Sequence, residues 1–230
     1  MRKYFIYIGV LCLSQVHAQT SVWTGIGISK KWSKHFQSSF GTEVRTEIGN
    51  GLSKVFFNTQ QVFPITKGID PFISYRFSLA PTSNSSLLPL NESVLNRFGV
   101  GVKVNFIDLF DIGKGRLNIN WTVQQQLERS AVKRDVSVLR NRLQLKYDIK
   151  NAIFTPIISA EHFYRWNKDL VYTSTEVITL PGTAQFRYFI GTELELKHGN
   201  SFVCTYGFRQ KFDSGALNGI VRISYSKSLK

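Results

Sequence analysis

Apolar and polar residues alternate along this chain in runs too long and too regular for a helix. Over 96–106, Phe98, Val100, Val102, Val104 and Phe106 are interleaved with Arg97, Gly99, Gly101, Lys103 and Asn105. Over 116–128, Leu117, Ile119, Trp121, Val123 and Leu127 are interleaved with Asn118, Asn120, Thr122, Gln124, Gln126 and Glu128. Over 139–149, Leu139, Leu143, Leu145, Tyr147 and Ile149 face Arg140, Arg142, Gln144, Lys146 and Asp148. A period of two places one set on each face of a β-strand. Weaker copies lie near 21–32, 36–48, 54–64, 71–80, 153–165, 184–196, 201–212 and 217–229, making eleven candidate strands in one continuous rhythm. No segment has a convincing helical period, and aromatic residues at 13% suit pleated surfaces.

Strand length narrows the fold class. Strands of soluble proteins usually run to about five or six residues, whereas tilted strands that cross a bilayer need about 9–11. Many of the candidates have ten to thirteen. The connections also alternate. Short turns fall at 33–35, 66–68, 111–114, 150–151 and 198–200; longer ones fall at 49–53, 81–94, 130–136, 167–182 and 213–216. Short turns at one rim and longer loops at the other are the habit of outer-membrane barrels. The expectation is an all-β, antiparallel, up-and-down transmembrane β-barrel occupying 19–230 as a single domain. Barrels of this bacterial class use an even number of strands. With a periplasmic N-terminus, that predicts ten or twelve, and Leu170–Thr179 is the place where a further strand would hide.

Residues 1–18 read as a signal peptide that is removed. Arg2 and Lys3 precede an apolar run, Tyr4 to Leu13, that is too short to span a bilayer, and Val16-His17-Ala18 supplies a small-residue cleavage site. A lipoprotein cysteine at Cys12 is the rival, disfavoured by the bulky Leu11 before it. Cleavage after Ala18 leaves Cys204 as the sole cysteine, so no intrachain disulfide holds the fold. The formal charge of +14 falls by two with Arg2 and Lys3. In an exported chain this excess points to anionic headgroups or an anionic solute rather than nucleic acid.

The opening, Trp23-Thr24-Gly25-Ile26-Gly27-Ile28-Ser29-Lys30-Lys31-Trp32 and then Phe40-Gly41-Thr42-Glu43-Val44-Arg45, resembles a family of outer-membrane barrel proteins found mostly in Bacteroidetes, the domain-of-unknown-function 2490 family. So does the middle, from Leu139 to Ile149 and from Phe154 to Glu161. The resemblance covers nearly all of residues 20–230. It implies an outer-membrane location and a barrel fold, and no particular activity.

The candidate site is the charged set on the polar phase: Glu43, Arg45, Glu47, Arg97, Lys103, Arg140, Arg142, Lys146, Arg187, Glu193 and Arg222, with Arg76, Glu161, Arg165, Glu195 and Arg209 in the same phase. Side chains fill a narrow barrel, and unpaired charges there are costly, so acids and bases should interleave; a cationic lumen selecting anions is the functional reading. Trp23, Trp32, Trp121 and Trp166, with Tyr164 and Tyr188, are candidates for interfacial girdles. No catalytic, cofactor or metal site is expected. His35 and His198 fall in turns, and His162 lies on the apolar phase of its strand. The expected function is an outer-membrane barrel of structural, adhesive or narrow-pore type, monomeric, partnered by outer-membrane lipid and the barrel assembly machinery. The alternatives are a soluble periplasmic barrel binding an apolar ligand and a lipid-modifying barrel enzyme using His162.

Overall fold

A computed structural model describes residues 20–48, 51–80, 94–112, 115–130, 135–166, 169–171, 177–179, 182–212 and 214–229. The expected signal peptide, with Cys12, and most of the loops 81–94 and 167–182 lie outside the described residues.

The chain forms β1 (Thr20–Ser33), β2 (Phe36–Glu47), β3 (Gly51–Val62), β4 (Ile69–Leu79), β5 (Val94–Ile112), β6 (Gly115–Ser130), β7 (Val136–Ile149), β8 (Phe154–Arg165), β9 (Asp169–Val171), β10 (Val177–Thr179), β11 (Gly182–Leu196), β12 (Asn200–Lys211) and β13 (Leu217–Leu229). All but β9 and β10 join in one closed barrel of eleven strands. Ten of its ladders are antiparallel, each strand pairing with its sequence neighbours in the barrel. Each strand is therefore one of the segments marked by alternation.

The strand number falls between the expected ten and twelve, and the reason is the closing ladder. β1 and β13 run the same way and pair in parallel, from Thr20↔Gly219 to Lys30↔Leu229. An even count is needed only when every neighbour is antiparallel; a parallel seam closes an odd number without leaving an edge. Residues 170–179 do hold β-structure, but as the separate hairpin β9–β10 rather than as a barrel strand.

Small inward residues suit the seam. Gly25, Gly27 and Ser29 of β1 lie opposite Ser224, Ser226 and Ser228 of β13, and on the outside Ile26 and Ile28 lie opposite Tyr225 and Lys227. Both seam strands start at the rim that carries the longer connections. The opposite rim has the tight turns, among them 197–199, where His198 and Gly199 take the left-handed conformation that a sharp reversal needs. The expected longer connection at 49–53 is shorter than the sequence suggests, since β3 already begins at Gly51.

Burial is inverted relative to a soluble barrel. The outward phase carries large exposed apolar side chains all round: Ile26, Phe40, Phe57, Ile73, Val100, Trp121, Leu143, Ile158, Ile190 and Phe208, with Ile26 62% and Ile190 61% exposed. The inward phase holds the buried polar groups Glu43, Ser78, Gln124, Gln126, Ser159 and Glu161, Glu161 being 2% exposed.

Candidate functional site

Register aligns the inward charges from strand to strand. Arg140 faces Gln124 across one ladder and Phe163 across the next; Arg142 faces Thr122 and Glu161; Arg187 faces Glu161 and Arg209; Arg222 faces Trp23 across the seam. The structure places all eleven candidate residues on the inward phase. It brings Glu43, Arg45, Arg97, Arg140, Arg187 and Arg222 into one cluster, with Arg76 and Glu161, and Arg142 joins through Glu161.

Two carboxylates organise that cluster. Glu161 accepts a hydrogen bond from Arg140 Nη2 at 2.6 Å and another from Arg187 Nη1 at 3.4 Å, while Arg142 Nε lies 3.5 Å from the same carboxylate. Glu43 accepts from Arg45 at 2.8 Å and lies 3.7 Å from Arg222 Nη2. Arg97 pairs with Glu128, and Arg76 donates to Asn58. In a protein interior such pairs repay part of the cost of taking charge out of water. The remaining candidates lie apart. Lys146 and Glu193 make their own pair at 2.6 Å, Lys103 Nζ donates to Gln60 at 3.0 Å, and Glu47 sits at the end of β2 opposite Ser21.

Aromatic rings fill the gaps between the guanidinium groups, and sequence reasoning missed them. Arg45 lies over Trp23 at 3.7 Å and over Phe56 at 4.3 Å; Arg187 lies over Phe163 at 4.4 Å and over Trp23 at 5.3 Å. A guanidinium is planar and weakly hydrated, so it stacks on a ring at small desolvation cost. Trp23 thus belongs to the interior, 3% exposed, and not to an interfacial girdle as its type suggests. Trp32 and Trp166 remain exposed at opposite ends of the barrel and Trp121 is exposed on the outward phase between them. The available signal was phase: Trp23, Phe56, Phe163 and Phe189 all fall among the polar residues of their strands.

This layer of arginine, glutamate and aromatic groups nearly fills the section it occupies, leaving a void of about 30 Å³. Comparison with family models, with curated proteins and with solved structures finds no match to this chain. The reading of the site therefore rests on its geometry. Beside the filled layer lies a larger cavity of about 500 Å³, bounded by Gly27, Ser39, Gln60, Lys103, Thr122 and Ser226 among others.

The histidines stand away from this chemistry. His162 is on the outward phase, stacked on Phe186 with ring centroids 4.7 Å apart, and its Nε2 lies 3.1 Å from Thr183 Oγ1. Its ladder partners are Asn141 and Phe186. His35 contacts the Pro64 carbonyl in a turn. Among the described residues no group of three or more His, Cys, Asp or Glu is placed to hold a metal ion, and no helix is long and apolar enough to cross a membrane.

Proposed function

We propose that this chain is a non-catalytic outer-membrane β-barrel whose interior is closed by its own side chains, with a structural or adhesive role carried by the rim of longer connections. The observation behind the reading is the inversion of the two faces. An exposed apolar surface on a soluble monomer is rarely larger than a few hundred Å². Here apolar side chains stand exposed on every strand of the barrel wall, while charge is turned inward. Hydrocarbon is the solvent that rewards this arrangement, since a closed barrel leaves no backbone edge unpaired. Eleven strands of 11–19 residues supply the reach.

The signal-like opening and the family resemblance point the same way. The filled layer of Trp23, Arg45, Phe163 and Arg187 argues for a blocked or very narrow passage rather than a wide pore. An interior so rich in arginine gives an apolar ligand little to bind.

Paired substitutions on neighbouring residues test the reading. Val102 faces outward between Pro71 and Val123, and Lys103 faces inward. Val102→Arg should cost about 2–4 kcal/mol of stability in a bilayer near its midplane, and Lys103→Gln far less. Unfolding by denaturant from lipid vesicles measures both. Equal tolerance at the two positions would remove the lipid-facing assignment.

A further inference from the structure

The 500 Å³ cavity exists because one side of its wall lacks long side chains. Inward positions on β13, β1 and β2 are Ser226, Gly27, Ser29, Ser39 and Gly41. Facing this smooth wall are five cations, Arg76, Arg97, Lys103, Arg140 and Arg142, and a sixth, Arg222, rises from β13 beside it. No carboxylate is among the described residues that line the cavity. The acids that offset these cations, Glu43, Glu128, Glu161 and, opposite Lys103 on β4, Asp70, lie outside the lining and are engaged there. Two of them are shared, Glu161 by Arg140, Arg142 and Arg187, and Glu43 by Arg45 and Arg222.

Positive charge in the cavity wall is thus in excess, inside a closed barrel where water screens poorly. Neutral donors and acceptors complete the lining: Asn58, Gln60, Ser74, Thr122 and Gln124.

We propose that this cavity is a binding site for a small phosphorylated polyol of the sugar-phosphate class. Phosphate is the anion that several guanidinium groups and a lysine serve best, because it offers multiple acceptor oxygens and up to two charges. The amides and hydroxyls match the hydroxyl groups of a single sugar ring. The volume lies within the range of small-molecule sites, about 300–1,000 Å³. The proposal rests on the interior alone and stands whether or not the outer face meets lipid.

Gly27 offers a clean way to close the cavity. A Cβ built there meets only the Phe40 carbonyl oxygen at 3.7 Å and Ser226 Cβ at 3.9 Å, ordinary contact distances, so a ring in place of the hydrogen would project into the cavity without disturbing the ladder. The test is calorimetric titration of the folded chain in detergent with glucose 6-phosphate, glucose and inorganic phosphate, with strand content checked by circular dichroism for each variant. Saturable 1:1 binding of glucose 6-phosphate is expected, with none for glucose. Arg142→Gln should weaken it roughly tenfold or more, and Gly27→Phe should abolish it. No saturable binding of glucose 6-phosphate, or unchanged binding in a folded Gly27→Phe variant, would overturn the proposal. Inorganic phosphate binding as tightly as the sugar phosphate would overturn the polyol assignment.

Discussion

Glu161 shows how much a single inward residue carries. It is almost wholly enclosed and answers three arginines, on β7 and β11. Glu161→Gln keeps the shape and removes the charge, leaving Arg140, Arg142 and Arg187 facing one another. Breaking a buried pair by removing one partner costs about 3–5 kcal/mol, and a loss of that size is expected in the denaturant unfolding of the variant. A loss below about 1 kcal/mol, the range of an exposed pair, would mean that water reaches the cluster freely. The charged partners were visible in the sequence as a phase, because Arg140, Arg142 and Glu161 fall out of step with Leu139, Leu143, Ile158 and Ala160 on their strands. Their pairing was not, since it depends on β7 and β8 meeting in the register Arg142↔Glu161, which no local signal sets. The aromatic half of the cluster was hidden for a related reason. An out-of-phase Trp23 reads as an irregularity until Arg45 and Arg187 are known to lie over its ring.

At the scale of the strand, inward glycines are paired with inward rings across the ladder. Phe72 lies opposite Gly101, and Phe189 lies opposite Gly207. A Cβ on Gly207 would strike the Tyr188 carbonyl oxygen and the Phe189 ring, so β11 and β12 approach there as only glycine allows. Gly207→Ala, chemically the smallest change available, should destabilise by about 1–3 kcal/mol through overpacking. Thermal unfolding of the variant checks this, and an unchanged midpoint would mean that the ladder gives way easily. Strand boundaries and faces were legible because alternation over ten or more residues leaves little freedom. The parallel seam was not legible. Parallel and antiparallel neighbours read alike in a sequence, and the seam strands are the two ends of the barrel, 199 residues apart in pairs such as Thr20↔Gly219. The hairpin β9–β10 was visible as β-forming sequence, yet nothing in its composition says that it stands outside the barrel.

For the whole molecule, the two faces of one closed sheet divide the chemistry between them. The outer face carries exposed apolar side chains on every barrel strand, and the inner face is charged, filled across one section and hollow beside it. Among the described residues, buried apolar side chains gather in a small cluster of Trp23, Phe189 and Ile220 rather than in a broad hydrophobic core. Its stability rests instead on a closed set of backbone ladders and on paired charges, and both gain from a surrounding medium of low dielectric. The central claim is that this medium is an outer membrane. The most direct measurement is the gel mobility of the membrane-fraction protein in SDS, with and without boiling. The account predicts that it partitions with the outer membrane and that the unboiled sample runs as a faster, compact band that shifts on heating. Recovery from the soluble periplasm as one heat-insensitive band would contradict it.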